Sequence, residues 1–194
     1  MTESAAPPAS GPQVEPCTLT EILLITPRRH SDARGYFMEA YNEDAFRKIG
    51  VSCRFIQDNQ SLSAQRGTIR GMHFQTPPFA QAKLVRVLQG AIFDVVVDIR
   101  SGSQTRGKYV SALLSAQNGR QLFVPAGFAH GYCTMESDTV VLYKVDAPYS
   151  RAHEGGLVWN DPEVGIAWPE QAEAGTLLER DRQFPFLHGL LDHF

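Results

Sequence analysis

From Arg54 to Tyr143 the chain is a succession of short apolar or alternating segments, cut at regular intervals by glycine-containing turns. The segments Arg54–Leu62, Thr68–Phe74, Lys83–Leu88, Ile92–Ile99, Lys108–Leu114, Gln121–Val124 and Thr139–Tyr143 have strand length and strand-like content. Gln65-Arg66-Gly67, Gln89-Gly90, Ser101-Gly102 and Asn118-Gly119 separate them. Many short strands joined this way fold as a sandwich or a barrel. Val96 and Val97 break strict alternation, as in a strand buried on both faces. The best match is a mainly all-β jelly-roll or cupin barrel, a double-stranded β-helix, with a few short helices.

The ends read differently. Residues 1–16 are rich in Ala, Pro and Ser with few bulky apolar side chains, so a disordered arm is expected there. Residues 17–194 are expected to form one domain. Ile22-Leu23-Leu24-Ile25 is a short apolar run ended by Thr26-Pro27, and Ser31 to Gly35 reads as a turn. Asn42 to Lys48 reads as a helix, with Asn42 as N-cap, Glu43 and Asp44 in its first turn and Gly50 past its end. The tail after Pro169 reads as short helical or irregular structure, since Leu177 to Asp181 holds acceptable helix formers.

Composition excludes several classes. No apolar run approaches the roughly 20 residues of a membrane span. The net charge is −3 without a basic tract, so neither a nucleic-acid nor a membrane partner is expected. Cys17, Cys53 and Cys133 are odd in number and widely spaced, with no metal-ligand spacing. With no signal-peptide pattern at the N-terminus, a reducing cytoplasm is expected. Cys133, in an apolar strand, reads as a small buried hydrophobe.

The chemistry concentrates in Arg70-Gly71-Met72-His73-Phe74-Gln75, followed by Lys83. On a strand His73 and Gln75 share a face. Lys83 is expected to meet His73 across neighbouring strands. Histidine titrates near neutral pH and suits proton removal from carbon, provided a nearby cation holds the resulting negative charge. No H-x-H pair is present, and no carboxylate stands at motif spacing from His73 or His130, so a metal-binding cupin centre is not expected.

An ordered set of segments accompanies that motif. It comprises Asp58-Asn59-Gln60-Ser61, Lys83-Leu84-Val85-Arg86, Phe93 to Arg100, Leu113-Leu114-Ser115-Ala116, Arg120 to Pro125, Gly127-Phe128-Ala129-His130-Gly131 and Leu142-Tyr143-Lys144. Together they resemble the dTDP-4-dehydrorhamnose 3,5-epimerase family, from about Thr20 to about Asp181. The resemblance implies a cupin barrel that uses no metal and no cofactor. It implies inversion of C3 and C5 of dTDP-4-dehydro-6-deoxy-D-glucose to give dTDP-4-dehydro-L-rhamnose, in rhamnose biosynthesis. Such an epimerisation needs a base for the carbon-bound hydrogen, a donor for the enolate oxygen, and an acid on the opposite face.

The resemblance assigns the base to His73 and its carboxylate partner to Asp181; Asp161 and Glu154 are the alternative carboxylates in the chain. It assigns the enolate stabiliser to Lys83 and the acid to Tyr143. The family pattern before the lysine is Gln-Gly-Lys, and Gln81-Ala82-Lys83 departs from it. The extra methyl suggests a slightly different loop. His130 is expected to line the sugar site.

A nucleotide-linked substrate adds a diphosphate and a thymine. The resemblance places Arg70 at the diphosphate, although strand parity puts it opposite His73. A twist or bulge at Gly71 is therefore expected. Arg34 and Glu39 resemble the segment that reaches a nucleotide in the partner subunit's site. Gln57 and Asn59 offer amide contacts, Tyr149 a stacking surface, and Glu154 a further polar contact. Gln60 stands where many members carry histidine, beside the expected site. The run Ile22–Ile25 lacks an obvious partner in the chain, and family members exchange such strands, so a homodimer is expected.

Two other readings stand beside this one. A monofunctional 3- or 5-epimerase of a related dTDP-4-keto-deoxysugar would use the same base and acid. A non-catalytic sugar-nucleotide-binding cupin is disfavoured by the presence of His73, Lys83 and Tyr143 together.

Overall fold

A computed structural model describes residues 11–172, 175–192 and 194. In chain order the strands are β1 (Gln13–Pro16), β2 (Leu23–Thr26), β3 (Arg29–Asp32), β4 (Gly35–Met38), β5 (Gln57–Ser63), β6 (Ile69–Gln75) and β7 (Lys83–Gln89). They continue with β8 (Ala91–Asp98), β9 (Tyr109–Ser115), β10 (Gln121–Val124), β11 (Phe128–Thr134), β12 (Thr139–Val145) and β13 (Glu154–Gly156). The helices α1 (Glu43–Lys48) and α2 (Glu179–Arg182) are short.

Two antiparallel sheets make the sandwich. One runs β1-β2-β10-β7-β12-β5 and the other β13-β6-β11-β8-β9. The expected jelly-roll architecture is therefore present. Alternate side chains fill the space between the sheets: Val85 and Val87 of β7, Leu122 and Val124 of β10, and Val141 of β12 meet Ile92 and Val96 of β8, Val110 and Leu114 of β9, and Phe128 of β11. The opposite faces are covered too. Val95 and Val97 pack with Met72, Phe74, Leu157 and Leu187 beneath the C-terminal tail. Ile25, Leu84 and Phe123 pack under Phe46 of α1. Val96 and Val97 are adjacent because β8 is buried on both faces.

The helix begins as its sequence dictates. The Asn42 side chain accepts from the Ala45 backbone N–H, satisfying a donor that the first turn leaves free.

Three expectations change. Gln13–Pro16, assigned to a disordered arm, form a strand paired with Thr26–Leu23. All four side chains are exposed, so backbone pairing holds this strand and hydrophobic patterning gives no sign of it. Residues 1–10 of that arm lie outside the described residues. The run at Ile22–Ile25 does have partners in the chain, since β2 pairs with β10 as well as β1. Phe128–Thr134, visible in the sequence only through the apolar surroundings of Cys133, is a complete strand at the middle of its sheet. Its interior Gly131 and polar His130 obscure the strand pattern.

Candidate active site

At one end of the sandwich the apolar filling gives way to polar side chains. Lys83 continues the inner face of Val85 and Val87, Tyr143 that of Val141, and His130 stands between Phe128 and Tyr132. These groups line a cavity of about 500 Å³. Arg70, His73 and Gln75 enter from β6, Gln57, Asn59 and Ser61 from β5, and Glu154 from β13. Tyr149, Arg180 and Asp181 close the mouth.

Arg70 and His73 share the cavity because β6 carries one extra residue. His130 pairs with His73 and Tyr132 with Arg70, so three steps on β6 match two on β11. Met72 is turned to the outer core beneath the tail. The expected irregularity at Gly71 is thus present. Its backbone has φ of 140°, and a Cβ there would lie 2.5 Å from the Gly131 Cα, so only glycine fits. Arg70 is anchored by Nε donating to Ser63 Oγ at 3.1 Å and by a terminal nitrogen donating to the Leu62 carbonyl.

His73 Nε2 lies 3.0 Å from Asp181 Oδ1. Asp181 is 1% exposed, while the His73 side chain stays 25% exposed to the cavity. Burial pushes the Asp181 carboxyl up, but the bond and charge of His73, the Gly71 amide and the Arg180 charge outweigh it, leaving it below the usual carboxylate range. The fallback partners have other tasks. Asp161 is buried and accepts from the Glu163, Val164 and Leu187 amides, which ties the tail down. Glu154 accepts from Tyr149 Oη at 2.9 Å and from both terminal nitrogens of Arg180 at 3.2 Å.

Lys83 reaches His73, but not from a neighbouring strand. β6 and β7 belong to opposite sheets, and Lys83 Nζ donates across the sandwich to the His73 carbonyl at 3.2 Å. Burial pushes its ammonium down to about 8, with Asp94 and Glu154 partly offsetting that effect. Ala82, in place of the family's glycine, leaves this placement intact. Its methyl packs with Leu84 and Phe123, and its amide donates to Asp146 Oδ1. Tyr143 pairs with Asn59 across the strands, and burial raises its phenol above the ordinary value while the Arg70 charge opposes this.

Three residues singled out in the sequence lie outside this cavity. Arg34 and Glu39 do not reach this cavity: Arg34 lies on the β3–β4 hairpin, paired with Asp32 and open to solvent. Gln60 turns to the exposed side of β5, opposite Gln57, Asn59 and Ser61, so it is not a cavity residue. Strand alternation in Gln57-Asp58-Asn59-Gln60-Ser61 carried that information.

The sequence reading missed others. Arg180, next to Asp181, links the Glu154 and Asp181 carboxylates. Tyr132 contributes a hydroxyl that bonds Ser61 Oγ at 3.0 Å. Gln75 is a clasp: its Oε1 accepts from the Ser150 amide, and Nε2 donates to the Phe79 and Pro148 carbonyls. It thereby holds the loop carrying Tyr149. Among the described residues no three His, Cys, Asp or Glu side chains converge as a metal set, and no helix is long and apolar enough to cross a membrane.

The model of the dTDP-4-dehydrorhamnose 3,5-epimerase family matches residues 16–189. The chain belongs to this family. It is 55% identical over 170 residues to the dTDP-4-dehydrorhamnose 3,5-epimerase of Sinorhizobium fredii, covering 88% of this chain and 87% of that one. Among solved structures, the Bacillus anthracis epimerase with TDP and pyrophosphate bound superposes with a TM-score of 0.85 at 46% identity. That match covers 91% of this chain and 99% of the other. The Legionella pneumophila epimerase in complex with dTDP-4-keto-L-rhamnose gives 0.87 at 36% identity, covering 92% and 94%. The isomerase class, the dTDP-sugar chemistry and the place in rhamnose biosynthesis expected from the sequence are those of this family.

Proposed function

We propose that this epimerase acts on dTDP-4-dehydro-6-deoxy-D-glucose and removes the hydrogens at C3 and C5 with His73 as base. The observation that carries this reading is the contact of His73 Nε2 with the buried Asp181 carboxylate inside the cavity. The carboxylate accepts the hydrogen bond from Nε2–H and so holds the proton there, leaving the basic lone pair of the neutral ring on Nδ1. Lys83 stabilises the enolate oxygen formed from the 4-keto group, and Tyr143 returns a proton from the other side. Lys83 and Tyr143 come from one sheet and His73 from the other, which supports attack and delivery on opposite faces of a ring held between them.

Arg70 takes the diphosphate, as a fork-shaped donor suits it. Gln57, Asn59 and Tyr149 take the nucleoside, with Glu154 and His130 as further polar contacts. Arg34 and Glu39 complete the site of a second copy in a homodimer. Tyr36 and Phe37, on the same hairpin as Arg34, are 56% and 71% exposed, an apolar projection that a partner surface would cover. The three free cysteines are compatible with a cytoplasmic setting.

Proton NMR with this substrate in D₂O tests the reading. Deuterium at both C3 and C5, with L-rhamnose recovered after reduction, is expected. Exchange at one centre only would overturn double epimerisation, and no exchange would overturn the catalytic reading.

A further inference from the structure

The roles above leave the buried carboxylate of Asp94 without a task. Asp94 lies on the inner face of β8 between Ile92 and Val96, both core residues, and is 0% exposed. An ionised acid among such neighbours is destabilising unless its charge is compensated. One oxygen is satisfied: Oδ1 lies 2.6 Å from His130 Nε2. The other, Oδ2, has no hydrogen-bond partner among the described residues. On the facing sheet Lys83 is also buried, and its Nζ makes one described bond, to the His73 carbonyl.

We propose that Asp94 is a positioning residue of the epimerisation site, fixing His130 and supplying the buried counter-charge that keeps Lys83 an ammonium. This rests on the reading of Lys83 as enolate stabiliser. The other charged or titratable groups around the cavity are divided. Glu154 on β13 and Asp181 on α2 are negative, but both share the charge of Arg180. Arg70 and His73 on β6, His130 and Tyr132 on β11, Tyr143 on β12 and Tyr149 add no negative charge at neutral pH. Asp94 is thus the carboxylate of this group without an arginine partner. Its charge adds to that of Glu154 in opposing the effect of burial on Lys83. The bond to His130 also fixes that ring's orientation at the cavity wall.

The test is the pH profile of kcat/KM for Asp94→Asn, which retains an oxygen for His130 and removes the charge. For a downward shift of about one pH unit in Lys83, activity relative to the unaltered enzyme falls about fivefold at pH 8 but only about 1.3-fold at pH 6.5. Burial pushes the Tyr143 phenol above its ordinary value, so Tyr143 does not produce this limb. Asp94→Glu is expected to restore it. A uniform loss at every pH, with the alkaline limb in place, would overturn the proposal and assign Asp94 a structural role. Should Asp94→Asn fail to fold, His130→Asn reads the same relationship by freeing the carboxylate. A limb at or above its normal position supports the proposal, and a lowered limb overturns it. Absence of substrate exchange in the unaltered enzyme would instead overturn the underlying catalytic reading.

Discussion

His73 and Asp181 meet at 3.0 Å although 108 residues of chain separate them. One comes from the strand motif that dominates the sequence, the other from a four-residue helix in the tail. Asp181→Asn removes the charge that holds the proton on Nε2. It is expected to lower kcat by about 10²–10⁴-fold while dTDP affinity changes about twofold or less. Steady-state kinetics and calorimetric titration with dTDP check this together. An equal fall in both would make the pair a binding element.

Base and acid are separable by isotope. Tyr143→Phe leaves His73 and Lys83 in place, so deuterium is expected to enter the substrate from D₂O at a rate within about tenfold of normal. Inversion is expected to fall by about 10²-fold or more. NMR follows the exchange and reduction to the separated sugars follows the configuration. Inversion that keeps pace with exchange would place the acid elsewhere.

Lys83 predicts an alkaline limit. Burial lowers its ammonium to about 8, so it is charged below that pH and neutral above it. The profile of kcat/KM is expected to fall as pH rises through about 8. In Lys83→Arg the limb is expected to disappear, because guanidinium stays charged throughout this range. A limb of unchanged position in that variant would assign it to another group.

Asp98 predicts acid sensitivity of the fold. It is fully buried, which opposes ionisation, yet bonds from Arg100, Ser103 and Thr105 bring it down to about 2. A carboxyl depressed in the folded state stabilises it above the unfolded value, near 4, and that contribution is lost as pH falls from about 4 to about 2. Asp98→Asn is expected to cost about 2 kcal/mol at pH 6 and much less at pH 2.5. Urea unfolding at the two pH values measures the difference. An equal cost at both would show that packing, not charge, is at stake.

The exposed β3–β4 hairpin predicts the assembly. Light scattering at micromolar concentration is expected to give twice the mass of the chain. Arg34→Ala is expected to weaken dTDP binding by about tenfold without altering that mass. A monomer with a complete, active site would refute the exchange of these residues.

Much of this was readable in the chain because strand chemistry is local. Turn glycines and β-branched runs marked most strands, and alternation put His73 and Gln75 on one face. Parity alone gave the wrong face for Arg70, and only the family's placement of it called for an irregularity at Gly71. The structure supplies that irregularity as an extra residue on β6. Gln60 was misplaced, although the same alternation puts it outside the cavity. β1 escaped notice because it is held by backbone bonds and buries no side chain.

Local pattern determined the all-β class, the short capped helix and the residue types for proton transfer. Tertiary structure alone decided that Lys83 reaches His73 from the opposite sheet. It likewise decided that Asp181 and not Asp161 meets the histidine, that Arg180 ties two carboxylates together, and that Asp94 is buried with one oxygen free. Those relationships join segments far apart in the chain. Their distances are set by how the two sheets and the tail pack, and no spacing along the sequence encodes them.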